Sequence, residues 1–571
     1  MIKKAVLSLL ATIVIASATK AQAVYVNKNW QSTNGNPVLN PILNPLGIQW
    51  SNSITNASGE LITVGHTQVA GQGENIWLIK YTASGSIIFQ TNYNTNAANN
   101  DYGIGLFEAA NGDILVCGTT DNGGLTNYDV VILRYNSTGT LLNSTTQAGQ
   151  AGKNDIAVAI SEDALGDILV AANTENINTQ YDYWILKYDS GLNLLANNTY
   201  DYAGLSEAAI GLEFSTGGDI CIIGASPSST VNTDYAMAVF NPNTLAYISD
   251  VRNNIPGTGF DRPLAFCKDA SNNIYITGKA WSGNNFNIKT VKINANLNIA
   301  WTATLDVNGL DDVGNSIAVD AGGNVIVGGY ETNTINKTNL VCIKYNGNSG
   351  AQIWKNYLPS TNPTGNAYIK KLTTKTSGDV YYVAGEKGNN GFEQTLVGKI
   401  KSSGERNWMK NISHPSKDVQ PSDIEIKNDV IYAITILDPN SASYQTTKFT
   451  ELVLDTTSEY KSNKPFRLKN HLLVSFQPSA IIPAKINNKE MVHGTVSDFI
   501  TPTALANLVE YSNINEIGSY KCYKVFPWMV MDDSMSITRS GRLIKIFPHY
   551  TTFGILMPGG TNDSVALNIK K

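Results

Sequence analysis

Charged side chains are scarce in this sequence. Only 15% of its 571 residues are Asp, Glu, Lys or Arg, and the net charge is −5. So small and mildly acidic a balance leaves no electrostatic footprint for nucleic acid or an anionic membrane. Cysteine is scarcer still. Cys117, Cys221, Cys267, Cys342 and Cys522 are odd in number, widely separated and free of metal-ligand spacing, which excludes a disulfide scaffold and a zinc ribbon. At least three fall inside apolar strand patterns, where Cys is expected to be an unpaired, small buried hydrophobe. No P-loop, Asp-x-Asp-x-Asp-Gly calcium loop or zinc motif occurs. Past residue 23 no apolar run reaches membrane-spanning length.

What is present begins with a leader. Lys3 and Lys4 precede an apolar run from Ala5 to Ala18, and Ala21-Gln22-Ala23 supplies a small-x-small cleavage site. Residues 1–23 are therefore expected to be a signal peptide, the product being exported and secreted, periplasmic or at the cell surface. About 550 residues remain, more than one core usually organises, so several domains or a repeat array are expected. Asn, Gly, Ser and Thr dominate the polar positions, as suits a surface dense in tight turns.

The array is explicit. "GELITVG" at 59–65 recurs as "GDILVCG" at 112–118, "GDILVAA" at 166–172, "GDICIIG" at 218–224, "NNIYITG" at 272–278, "GNVIVGG" at 323–329, "GDVYYVAG" at 378–385 and a degenerate "NDVIYAI" at 428–434. Measured at Leu61, Ile114, Ile168, Ile220, Ile274, Val325, Val380 and Val430, the steps are 53, 54, 52, 54, 51, 55 and 50 residues. Each copy reads as four short strands: one before the Gly-Asp turn, one after it, a third such as "DVVILRY" (129–135), and a fourth that carries Trp301, Trp354 or Trp408 in several copies. No segment between them has helical periodicity. Four antiparallel strands per ~50 residues predict a β-propeller, because one blade cannot bury both its faces alone. The last copy has a third strand, "KFTELVL" (448–454), but no fourth, while the orphan strand "VYVNKNW" (24–30) ends in Trp30. The N-terminal strand is therefore expected to complete the last blade. That gives eight blades over residues 24–458, with seven as the alternative.

The pattern D-x-W-I-L-K-Y-D-x-x-G-x-L-L … G-D-I-L-V-x-G resembles the propeller repeats of secreted bacterial proteins known as SBBP or delta-60-like repeats, over roughly Val24 to Ser458. The resemblance implies blades and no particular activity. After a polar linker at 459–467, residues 468–571 read as a small α+β domain. Its expected strands are "HLLVSF" (471–476), "YKCYKVF" (520–526), "RLIKIF" (542–547) and "TFGILMP" (552–558). A helix is expected from Thr501-Pro502 to about Tyr511, and a second begins in "TNDSVALNIKK". "LLVSFQP", "DFITPTALANL", "YKVF" and "DDSMSITRSGRLIKI", with Ser536, Arg539 and Gly541, are similar to the prodomain of Bacteroidetes-type subtilisin-like serine proteases. Such a prodomain packs on its protease and assists its folding.

Candidate chemistry is sparse. Thirteen residues before the glycine-turn strand stand Asp101, Asp155, Glu207, Asp261 and Asp312, at the start of each first strand. They could ring one mouth of the channel as an acidic collar, for Ca²⁺ or a basic ligand. The simpler reading is that each caps a local turn. Asn75, Asp129, Asp182, Asp234, Asn287 and Asn339 open the third strand and invite the same turn-capping explanation. Lys80, Arg134, Lys187, Lys292 and Lys344 alternate with apolar residues, as a solvated rim would. His493-Gly494-Thr495-Val496 matches the catalytic-histidine segment of subtilisin-like proteases. However, the one upstream Asp-Ser-Gly, at Asp189, falls in a strand turn of the third copy, and no Gly-Thr-Ser follows. No Ser-His-Asp triad can be assembled within these residues.

The expectation is a non-enzymatic exported propeller, a monomeric binding or scaffold module for an extracellular protein or glycan. No catalytic residue and no cofactor beyond the Ca²⁺ of the collar reading is expected. Two alternatives stand beside it: the propeller-plus-prodomain portion of a secreted subtilisin-like protease, or a propeller lyase or glycosidase using loop carboxylates.

Overall fold

The computed structural model describes residues 52–437 apart from short loop segments, together with strands Ala23–Asn34 and Ser443–Leu454 and three short strand pairs nearer the C-terminus. The chain divides into two compact units, Lys28–Thr450 on one hand and Met1–Asn27 with Glu451–Lys571 on the other. Among the described residues every regular element is a strand, and none is a helix long and apolar enough to cross a membrane.

The larger unit is a series of four-stranded antiparallel sheets, one per repeat. Sheet 1 comprises Asn52–Thr55, Leu61–Val69, Gly73–Tyr81 and Ile87–Tyr93; sheet 2 begins at Asp101, sheet 3 at Asp155, sheet 4 at Ala208, sheet 5 at Arg262, sheet 6 at Val313 and sheet 7 at Ala367. Each consists of four strands in sequence order. Sheet 4 adds Gly259–Phe260, parallel to its third strand. A last sheet has Val419–Lys427, Val430–Leu437 and Ser443–Leu454 in order, with the N-terminal strand Ala23–Asn34 beside Ser443–Leu454.

Burial explains the strand composition. The second strands Ile114–Asp121 and Ile168–Glu175 are buried at every position, which is why each opens on an unbroken apolar run. The fourth strand Leu141–Gln147 is largely exposed and correspondingly polar after its first two residues. Hydrophobic clusters are shared between neighbours. Ile132 and Val170 belong to one spanning sheets 2 and 3, Ile185 and Ile222 to one spanning sheets 3 and 4, and Val327 and Ile288 to one spanning sheets 5 and 6. Each such side chain contributes about 1.5–3 kcal/mol that a lone sheet could not realise.

Closure follows the same rule. Leu61, Trp77 and Tyr81 of sheet 1 pack with Tyr432, Ile434 and Ile436 of the last sheet. The Ser53 N–H and hydroxyl both donate to Asp423 Oδ2, at 3.2 and 2.8 Å. The first strands lie successively against one another, with Val419–Lys427 against Asn52–Thr55. This is a β-propeller.

The repeated turn glycine has a backbone reason. Gly112, Gly166, Gly218, Gly323 and Gly378 have φ between 75° and 86°, and where the fifth copy has no glycine, Asn272 takes φ 61°. In the turn after the third strand, Gly85, Gly139, Gly350 and Gly404 are left-handed, but in sheet 3 the left-handed residue is Leu192 rather than its neighbour Gly191.

In the smaller unit, Arg542–Ile546 and Thr552–Leu556 are strands as expected. The second helix expected in "TNDSVALNIKK" is overturned. Ser564–Asn568 is a strand paired antiparallel with Thr552–Leu556, placing Val565 opposite Ile555 and Leu567 opposite Phe553. Alternating apolar residues opposite a ready partner strand prevail over the helix-start signal at Asn562 and Asp563. The expected strands at 471–476 and 520–526, the helix at 501–511, His493 and Cys522 lie outside the described residues.

Candidate ligand site between sheets 3 and 4

The two recurrent polar positions of the sequence meet in the fold. In sheet 2, Asp101 pairs across to Thr120, which pairs with Asp129. Sheet 3 repeats the row as Asp155, Thr174 and Asp182. All five first-strand carboxylates are buried. Four of them accept backbone N–H groups: Asp101 from Thr95, Asp155 from Gly149, Asp261 from Trp281, and Asp312 from Val307 and Thr332. Glu207 accepts from the Ser226 hydroxyl at 3.1 Å, and the Tyr202 N–H acts on it as well.

In five sheets a residue at the entry to the first strand does a job that was missed in the sequence. Asn100, Ser206, Asp311, Asn366 and Asp418 accept the N–H of Glu74, Tyr181, Phe286, Thr338 and Glu393, each at or near the start of the preceding sheet's third strand. The backbone N–H groups of Glu207 and Asp312 donate to the Tyr181 and Phe286 carbonyls as well. The signal was a column of short acceptors (Asn, Ser, Asp) beside the more conspicuous carboxylates.

The expected solvated rim of cations is corrected. Lys80, Lys187, Lys292 and Lys344 are buried and Arg134 nearly so. Lys187 Nζ lies 2.9 Å from both Asp163 and Asp167 and donates to the Pro242 carbonyl of sheet 4 at 2.8 Å. Lys292 donates to the Gly347 carbonyl of sheet 6 at 2.7 Å, where Trp301 Nε1 also donates at 3.0 Å. Lys344 lies 2.7 Å from Asp320. Burial acts to raise the Asp320 carboxyl, but Lys344 and Asn324 hold it below its usual range. Local alternation suggested solvent on that face; the next sheet covers it instead.

At the opposite end of the strands, a third-strand carboxylate of one sheet faces the first-strand carboxylate of the next. Burial first, then groups including Asp129, raises Asp155 to about 6. Burial and Asp234 raise Asp261 to about 7. The junction of sheets 3 and 4 goes further. There Asp182 and Glu207 are joined by Asp201, from the connecting segment, and one oxygen of each lies within 4.8 Å of the others. Burial, with Asp182 and Asp201 among the lesser causes, lifts Glu207 to about 9; burial and Asp201 lift Asp182 to about 6.

A tyrosine face adjoins this cluster. Tyr200 stacks on Tyr183 and Tyr202, with centroids 5.6 and 6.5 Å apart, and lies 5.6 Å from Tyr247. Arg252 sits 3.7 Å over the Tyr202 ring and donates to Tyr200 Oη and Ser226 Oγ. Asp250 accepts from Tyr200 at 3.1 Å and Tyr247 at 2.7 Å. Tyr202 is 37% and Tyr247 46% exposed, so the rings offer an aromatic surface with charged groups around it. Farther along, Val231, Gly259, Phe260, Trp281 and Phe286 line an apolar hollow of about 480 Å³. Cys117, Cys221, Cys267 and Cys342 are free, and burial pushes the Cys117 and Cys221 thiols up to about 12, as inert packing residues.

No family model matches the chain, and no curated protein matches it. Among solved structures, Sqt1 from Chaetomium thermophilum is similar over 75% of this chain and 100% of its own, at 10% identity and a TM-score of 0.43. The β-propeller domain of the trilobed protease from Pyrococcus furiosus is similar over 61% of this chain and 95% of its own, at 10% identity and a TM-score of 0.35. The polysaccharide lyase Uly1 is similar over 75% of this chain and 99% of its own, at 9% identity and a TM-score of 0.39. The propeller assignment stands on the sheet pairing of this chain itself.

Proposed function

We propose that this chain is an exported, non-enzymatic, eight-bladed β-propeller that binds an extracellular glycan on the Tyr200–Tyr202–Tyr247 face. The blade count is supported by the pairing of the N-terminal strand with the last repeat. The binding role is carried by one observation: exposed aromatic rings stand beside a charged network that already satisfies Arg252 and Asp250 within the protein. Such a surface stacks on a sugar ring with little reordering.

The lyase or glycosidase alternative fares worse on chemistry. A tyrosine base needs a lowered pKa, whereas burial and then the Asp250 contacts raise Tyr247 to about 12. Glu207 would be protonated as an acid requires, but only 1% of its surface is exposed, out of reach of a glycosidic oxygen. The protease-portion alternative rests on segments largely outside the described residues. The test is a polysaccharide panel with the full chain, scoring retention and new chain ends in parallel. Retention that Tyr247→Ala weakens by roughly tenfold, without turnover, supports binding; release of oligosaccharides would replace it with the lyase reading.

A further inference from the structure

We propose that Asp182, Asp201 and Glu207 form a Ca²⁺ site at the junction of sheets 3 and 4, and that the bound ion sets the tyrosine face. Three carboxylates contribute one oxygen each within 4.8 Å of one another. Two of the side chains are deeply buried, Glu207 at 1% and Asp182 at 7% exposure, and Glu207 Oε2 and Asp182 Oδ1 accept no hydrogen bond. Open carboxylate oxygens are costly away from water, and a cation is the partner that would satisfy several at once. An all-oxygen donor set selects a hard ion. Exposed Asp201 leaves one side to water, a mixed and irregular shell that suits Ca²⁺ better than Mg²⁺.

The neighbouring junction shows what a filled arrangement without metal looks like. Both oxygens of Asp155 are used, by the Gly149 N–H and the Thr174 hydroxyl. The segment that supplies Asp201 also carries Tyr202. Asp201 Oδ1 accepts the Gly204 N–H at 2.9 Å, and Ala203 and Gly204 are both left-handed, at φ 62° and 66°, so the turn is tightly wound between ion and ring. An ion on Asp201 therefore fixes Tyr202 against Arg252. This second step rests on the glycan-binding reading; the ion site does not.

The test uses the full chain, stripped with chelator and titrated with Tb³⁺, whose emission the adjoining tyrosines sensitise. Saturable emission, displaced by Ca²⁺ and weakened at least about tenfold in Asp201→Asn but not in the turn control Asp189→Asn, is the expected result. Asp201 is exposed and Asn keeps the Gly204 bond, so this variant folds. Emission that is absent, or indifferent to both Asp201→Asn and Glu207→Gln, would overturn the site. Saturable Tb³⁺ binding with glycan retention equal in Ca²⁺ and chelator would keep the ion and remove its control of the face. Loss of glycan retention alone bears only on the proposed function.

Discussion

The junction of sheets 2 and 3 and the junction of sheets 3 and 4 are built from the same repeat, yet they treat buried negative charge differently. In the first, Asp129 faces Asp155, whose oxygens are both engaged by the protein. In the second, a longer side chain replaces Asp155, Ser226 satisfies only one oxygen of Glu207, and Asp201 adds a third charge. The repeat thus provides a carboxylate row for structure. The aspartate in the connecting segment has a counterpart, Asp306, which accepts the Gly309 N–H in the same kind of turn, but there the third strand offers Asn287. Only Asp201, with Asp182 and Glu207, gathers three carboxylates among the described residues. The opposite end of the blades shows the reverse solution, Lys187 and Lys344 each meeting a carboxylate and a carbonyl of the next sheet.

The sharpest way to break this contrast is to remove one ionisable group from each kind of site. Lys344→Ala leaves Asp320 buried beside an absent partner, and should cost about 3–5 kcal/mol, read as a fall in the urea midpoint. Glu207→Gln replaces a carboxyl that the fold must keep protonated at pH 8, so in chelator it should leave the midpoint unchanged or raise it. Equal losses in the two variants would mean that Glu207 is an ordinary structural carboxylate.

What was legible in the sequence tracks what is local. The turn glycines, the apolar second strands and the orphan N-terminal strand each announce themselves within a few residues, and all three appear in the fold as read. The carboxylates at 101, 155, 207, 261 and 312 were visible as a column, but their meeting with Asp129 or Asp182 depends on cross-strand register and on the neighbouring sheet. Asp201 was passed over because it recurs only as Asp306, six residues before Asp312, and its nearness to Asp182 depends on the fold. The cations at 80, 134, 187, 292 and 344 were misplaced for a related reason, since alternation reports the face of a strand and not what covers it. "TNDSVALNIKK" failed because its helix-start residues and its alternation disagree, and the partner strand Thr552–Leu556 decides between them.

The same contrast sets a pH dependence. Asp155 and Asp182 are raised to about 6 and Glu207 to about 9 in the folded chain, against roughly 4 when unfolded. The folded state therefore holds these protons more tightly, and stability falls as pH rises from about 4 through the folded values. In chelator the melting temperature should drop by several degrees between about pH 5 and 8. With millimolar Ca²⁺ the drop should shrink, because the ion binds the deprotonated cluster. A profile that Ca²⁺ leaves untouched would assign the whole effect to ordinary junctions such as Asp155.

The smallest effect separates conformational from packing demands at the turns. Gly166 has φ 84° with open space around a Cβ, whereas Gly350 has φ 71° and a Cβ there would lie 2.8 Å from the Trp301 ring. Alanine at either position meets the left-handed penalty, about 1 kcal/mol. Only Gly350→Ala must also displace Trp301, whose Nε1 is bonded to the Gly347 carbonyl of the same turn. The Gly350 variant should therefore lose about 1–3 kcal/mol more than the Gly166 variant in urea titrations. Equal losses would mean that Trp301 yields freely, and that its stacking on the following sheet contributes little to holding the blades together.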